Sequence, residues 1–137
     1  MNRIALGSFI ALAATISLTS PSVSASRSEL MSAVPGGTKT VTDWYKQDVY
    51  DRSEHSIGKI DDVLVSDGGE VRALMIGVGG FLGAGEKDVA VPFTAVKLTT
   101  KNNKQYLIMD TTKDALKAAP GFKYDSNKTV WVPDKSK

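Results

Sequence analysis

The chain has 137 residues, one domain's worth of sequence, with a formal net charge of +2 and no cysteine. That balance points to neither nucleic acid nor an anionic membrane surface as a partner, and the missing thiols exclude disulfides, Cys-ligated metal and covalent haem attachment. A hydrophobic share of 42% must therefore supply a core that holds without covalent staples.

Met1-Asn2-Arg3 gives the N-terminus a positive end, and residues 4–18 are mostly apolar. Pro21 then breaks the run, and Val23-Ser24-Ala25 offers the small residues a signal peptidase needs. Interrupted by Ser8, Thr15 and Ser17, the apolar run is shorter than the ~20 residues of a spanning helix. Residues 1–25 read as a secretory signal, with an uncleaved anchor as the alternative. No stable membrane span is expected after cleavage, and for a bacterial chain the address is the periplasm.

Residues 26–42 are polar, contain Pro35-Gly36-Gly37 and show no periodicity, which suits a flexible lead-in. Order is expected from Asp43-Trp44-Tyr45, opening a domain over 43–132. Val49-Tyr50 reads as a short strand ended by the charged turn 51–56. Residues 57–65 and 71–78 are rich in β-branched and aliphatic side chains and read as two strands. The connection Ser66-Asp67-Gly68-Gly69-Glu70 has the length of a hairpin loop with glycine at a left-handed position. Alternation places Ile60 and Leu64 on one face and Val63 and Val65 on the other, while Ala73-Leu74-Met75-Ile76 is apolar throughout. Such runs predict strands covered on both sides, as in a small barrel packed by helices or loops.

After the glycine-rich stretch 77–85, Asp88-Val89-Ala90-Val91 returns to a strand pattern. Val96-Lys97-Leu98 and residues 105–109 read as strands about the polar turn Lys101-Asn102-Asn103-Lys104. A short helix is predicted over 113–119. Thr111 or Thr112 serves as its N-cap, Asp114 and Lys117 suit its dipole, and Pro120-Gly121 stops it. Two turns do not persist alone in water, so Leu116 must pack on the barrel. Residues 122–132 form a final hairpin across Asp125-Ser126-Asn127-Lys128 that brings Tyr124 near Trp131, and residues 133–137 are a tail.

Chemistry-bearing patterns are few. The loop Gly77-Val78-Gly79-Gly80-Phe81-Leu82-Gly83-Ala84-Gly85 fails both phosphate-binding motifs. Leu82 stands where a dinucleotide fingerprint needs glycine, Glu86 stands where a P-loop needs lysine, and no helix follows. Glycines here let the chain turn sharply between strands. Phe81 and Leu82 at its tip either plug an open barrel end or project toward a partner, so Gly79, Gly80, Phe81, Leu82 and Gly83 form the candidate partner-contact loop. His55, beside Asp51, Ser53 and Glu54, lies in a solvated turn that cannot fix a catalytic triad. Asp61, Asp62, Asp67 and Glu70 do not match a calcium loop, and cross-strand pairing with Lys59 and Arg72 accounts for most of these charges. Asp62 alone shares parity with apolar residues, which requires either an outward bulge or an internal cap. Trp44, Trp131, Tyr45, Tyr50, Tyr106 and Tyr124 lack interleaved basic residues and read as core or rim. No catalytic, cofactor-binding or metal-ligating residue is assigned.

Residues 49–120 also carry a family resemblance. It rests on Val49-Tyr50-Asp51, on Ile57-Gly58-Lys59-Ile60 leading to Asp62-Val63-Leu64-Val65, and on Gly68 and Val71. The run Ile76-Gly77-Val78-Gly79-Gly80-Phe81-Leu82-Gly83, the segment Glu86-Lys87-Asp88-Val89-Ala90-Val91-Pro92-Phe93 and residues 112–120 complete it. In these the chain resembles the PRC-barrel family, and its Trp-Val-Pro ending is similar to that of small exported members from alphaproteobacteria. The resemblance implies a mainly β fold, a small PRC-type β-barrel with one short C-terminal α-helix. It further implies action by docking onto larger assemblies rather than catalysis, as in the photosynthetic reaction-centre H subunit. The expected function is a non-enzymatic periplasmic module that binds a protein partner or self-associates. The alternative is a ligand-binding or electron-transport accessory using the barrel mouth near Phe81.

Overall fold

The computed structural model describes residue 7, residues 30–79 and residues 85–136. The chain divides into two units, Met1–Val34 and Pro35–Lys137, and the fold is that of the second. Its described strands are β1 (Asp48–Tyr50), β2 (Ser56–Val65), β3 (Val71–Val78), β4 (Lys87–Pro92), β5 (Val96–Lys101), β6 (Lys104–Met109), β7 (Phe122–Asp125) and β8 (Val130–Pro133), with one helix, α1 (Lys113–Ala118). They form a single sheet in the order β5-β6-β1-β2-β3-β4-β7-β8. Every neighbouring pair is antiparallel except β1 and β6, which run parallel through Val49↔Leu107 and Tyr50↔Ile108. The mostly β architecture with one short helix is the one the sequence predicts.

Local chemistry sets the turns. In the β2–β3 hairpin Ser66 N–H donates to Glu70 O at 2.8 Å, and Gly69 takes a φ of +83° that a side chain would resist. Between β5 and β6, Asn102 and Asn103 both have positive φ, the mirror-image turn whose twist matches that of antiparallel strands. Thr112 caps α1, its Oγ1 accepting from Ala115 N–H at 3.1 Å, and the helix ends where Ala119 extends ahead of Pro120.

β3 is the centre of the molecule. Leu74, Ile76 and Val78 point into a core with Trp44, Val49, Ile57, Ile60, Val89, Val91, Val96, Leu107 and Leu116. Met75 lies on the opposite face of β3 and is also fully buried, across from Asp62 on β2. A strand buried on both faces has no reason to alternate, which accounts for the unbroken apolar run. On β2 the expected faces are not kept. The register slips between Ile60 and Asp62, so Ile60 is buried while Val63, three residues on, packs against the same core and Leu64 is only half-buried. A bulge adds one residue and reverses parity beyond it.

Val41–Asp43, across the expected boundary between lead-in and domain, forms one turn of 3-10 helix, with the Asp43 carboxylate accepting Thr40 N–H at 3.3 Å. At the other end Pro133 belongs to β8, and Asp134 N–H donates to Gly121 O at 2.8 Å. No described helix is long and apolar enough to cross a membrane.

Candidate interaction surface

Of the loop singled out in the sequence, Gly79 is exposed directly beyond β3; Gly80, Phe81, Leu82 and Gly83 lie outside the described residues. The choice between plugging and partner contact for Phe81 and Leu82 therefore falls outside them too. The base of that loop is described. Lys87 Nζ donates to Lys117 O at 2.6 Å, tying the start of β4 to the final turn of α1, where unpaired carbonyls favour a cation. Beside it, a Cβ on Gly77 would overlap carboxylate oxygens of Asp61 and Glu86, so glycine is what lets these two acids cross the strand. Lys46 Nζ meets Asp61 Oδ1 at 2.7 Å, and this hydrogen bond holds the Lys46 ammonium above its usual range. Asp61 and Glu86, with Asp48, Lys59 and Lys113, rim a polar hollow of about 380 Å³. Charges of both signs there neutralise one another at short range, giving little net attraction for a simple ion.

The charges pair with other partners than expected. Lys59 does pair across strands, but with Asp48 of β1 at 4.0 Å rather than with Asp61, Asp62, Asp67 or Glu70; Arg72 pairs with Glu70, two residues away, at 2.8 Å. Both are exposed pairs worth little. His55 is exposed, with Nδ1 3.3 Å from Asp51 Oδ2. Asp51 is the organiser of that turn, its Oδ1 accepting the backbone N–H groups of Ser53 and His55, and the bond from His55 N–H leads in drawing the carboxyl below its ordinary value.

Two apolar features stand out. Trp44 and Phe93 meet at 4.7 Å between ring centres and, with Val41, Val63 and Val71, line a groove of about 330 Å³. The second lies at the β7–β8 hairpin. Trp131 Nε1 donates to Asp62 Oδ2 at 2.8 Å while Asp62 Oδ1 accepts Val63 N–H at 2.8 Å. Asp62 thus combines the two alternatives its parity left: it follows a bulge, and it holds polar hydrogens. The bond pins the hairpin back toward β2, and Tyr124 stacks edge-on against Trp131 at 5.6 Å. Around this clasp Val65 (56% exposed), Tyr124 (51%) and Val130 (47%) remain open to solvent beside a hollow of about 390 Å³.

The hairpin also ends the sheet. Asp134 N–H points at Gly121, so by alternation Val130 and Val132 turn their backbone groups toward β7, while Trp131 and Pro133 turn theirs to the open edge. Pro133 lacks a donor only where β7 does not need one. At the far end of the sheet β5 carries Lys97 and Lys101, the latter paired with Glu54, which holds its ammonium above the usual range.

Sequence reasoning found the Tyr124–Trp131 contact but not the clasp, the Trp44–Phe93 groove or the exposed trio. The mismatched parity of Asp62 was the one local sign of the clasp, and it did not name Trp131, 69 positions away.

The geometry describes a small, mostly β domain whose distinctive surfaces are an apolar groove and an uncharged sheet edge. Comparison with known families gives the same class a name: the chain matches the PRC-barrel domain over residues 36–116, more than half its length, and belongs to that family. Comparison with the curated proteins gave no match.

Proposed function

We propose that the chain is an exported PRC-barrel protein of the periplasm that works by docking onto protein, related in its domain to the reaction-centre H subunit. Residues 1–25 act as its signal, residues 26–42 as lead-in and residues 43–132 as the docking domain. The supporting observation is the gathering of Val65, Tyr124 and Val130 beside an open, uncharged strand, since solvent-facing apolar side chains grouped at one place mark contact surfaces. The single exposed histidine, held in a turn by one carboxylate, supplies no comparable argument for catalysis. The loop 79–83, with Phe81 and Leu82, is the proposed second contact.

The test is a photoreactive side chain placed at Tyr124 in cells carrying the intact gene. The expected result is a crosslink to one consistent protein species in the periplasmic fraction; no crosslink there, or a product confined to the cytosol, overturns the reading. A second reading, a ligand-binding or electron-transport accessory, draws on the Trp44–Phe93 groove, whose volume suits a small apolar ligand. Haem, quinone or flavin absorbance in protein purified from its native source would decide for it.

A further inference from the structure

We infer that Asp67-Gly68, at the tip of the β2–β3 hairpin, is a modification site at which the folded protein converts aspartate to isoaspartate through a cyclic imide. The site is independent of the docking reading. In the sequence this is the single place where an Asp or Asn is followed by Gly. Glycine matters there because a residue without Cβ leaves its amide nitrogen open to approach and its backbone free to turn.

The turn leaves both reacting groups unoccupied. Asp67 and Gly68 are exposed. Around them Ser66 N–H donates to Glu70 O at 2.8 Å, Gly69 N–H to Ser66 O at 2.9 Å and Glu70 N–H to Ser66 Oγ at 3.3 Å. Among the described residues, no hydrogen bond or ion pair engages the Asp67 carboxyl or the Gly68 N–H. Comparable positions elsewhere are tied up. In the β7–β8 turn the nitrogen that would attack the Asn127 side chain is that of Lys128, and its N–H donates to Asp125 Oδ1 at 3.3 Å. At Asp51, Oδ1 already accepts the N–H groups of Ser53 and His55.

The step balances with water as the one co-reactant. The Gly68 nitrogen bonds to Asp67 Cγ and gives up its proton, and the carboxyl loses its hydroxyl, so that one water leaves and a cyclic imide closes. Solvent water then adds to one of the two ring carbonyls. Addition at Cγ restores aspartate. Addition at the main-chain carbonyl carbon of Asp67 breaks its bond to the Gly68 nitrogen, so the chain now runs through Cγ and the α-carboxyl is free. Because the reacting atoms belong to adjacent residues, access to the nitrogen and freedom of the turn govern the rate. Charge is conserved, but the chain gains one backbone atom between Ser66 and Gly69, which displaces the donor of the Gly69–Ser66 bond.

The test is to age the purified, folded protein in mildly acidic buffer made with heavy-oxygen water, then to map its tryptic peptides. The expected result is that peptide 60–72, released by cleavage after Lys59 and Arg72, splits into two chromatographic forms of the same composition. The new form carries heavy oxygen from the solvent and is methylated by an isoaspartyl methyltransferase, while the peptides bearing Asp51 and Asn127 stay unsplit. Gly68→Val slows conversion by about tenfold or more, since a β-branched side chain shields its own nitrogen. The fold accepts that change, because Gly68 lies outside the left-handed region and a Cβ there meets nothing nearer than Ser66 Oγ at 3.8 Å. Asp67→Glu, whose longer side chain must close a larger ring, abolishes conversion. An unsplit 60–72 peptide overturns the inference, as does conversion no faster than at Asn127, conversion only after unfolding in urea, or a rate indifferent to Gly68→Val.

Discussion

The two ends of the sheet are built differently. At one end β5 and β6 pair over their full length, from Val96↔Met109 to Lys101↔Lys104, and β6 is joined to β1 by parallel bonds. At the other, β7 meets β4 at the single pair Asp88↔Phe122, and the hairpin is fastened by a side-chain bond from Trp131 to Asp62. Backbone pairing secures the first end and lysines guard its outer strand; side chains secure the second, whose outer strand carries no charge. A continuous ladder leaves no freedom to reposition a strand, while a hairpin held at two points can be set for its outward contacts. The exposed side chains of Tyr124 and Val130 sit on the end held the second way.

That contrast can be broken at several places. The largest effect is expected at Leu116, on the helix that carries the chain from one end to the other and packs on β2 and β3. Leu116→Ala should cost about 3 kcal/mol in urea unfolding, and a loss below about 1 kcal/mol would mean that the helix is not pinned as described. Gly58→Val attacks the β5 end. Gly58 pairs with Val49 of β1, and a Cβ there would lie 2.6 Å from Ile76 Cγ2 and 2.9 Å from Gly77 O. Because a backbone oxygen cannot withdraw, about 2 kcal/mol should be lost, together with exchange protection in β1, β5 and β6; intact protection there would refute the packing argument.

Trp131→Phe attacks the β8 end alone, removing the donor to Asp62. It should cost about 1–2 kcal/mol and speed amide exchange in β7 and β8 while sparing β2 and β3; equal acceleration across the sheet would show that the clasp is not local. Replacing Lys97 and Lys101 together by Val should change stability by no more than about 0.5 kcal/mol yet make the protein associate through β5, read as concentration-dependent light scattering. If scattering stays at the parent level, charge is not what keeps the two edges apart. The smallest effect concerns the turn that follows β1. Asp51 has its carboxyl drawn below the ordinary 3.8, so its contribution is complete above that value and lost as pH falls through the lower, folded one. A carboxyl resonance titrating at or above 3.8 would remove the turn's organising bond.

How much was legible in advance varies by residue. Gly69, the Asn102-Asn103 turn and the Thr112 cap answer to constraints a few residues wide; the sequence places the polar turn, and it narrows the left-handed glycine and the cap to two adjacent residues each, between which the structure selects Gly69 and Thr112. The faces of β2 were misread because one inserted residue at the bulge inverts an alternation that is otherwise reliable. Lys59 found Asp48 because strand register decides which charges meet. The candidate loop shows the same division: glycine spacing excluded a phosphate site, yet nothing in that spacing pointed to the β8 edge.

Taken alone, the order of residues determined the strand segments, their turns, the short helix and the need for a core buried on both faces, because steric and hydrogen-bonding preferences act over single turns and alternations. Only the tertiary structure decided that β1 lies beside β6, that β7 touches β4 at one pair and that Trp131 reaches Asp62. Those choices join residues far apart in the chain, and the free energy that selects among them comes from packing the whole sheet at once, which no local pattern contains.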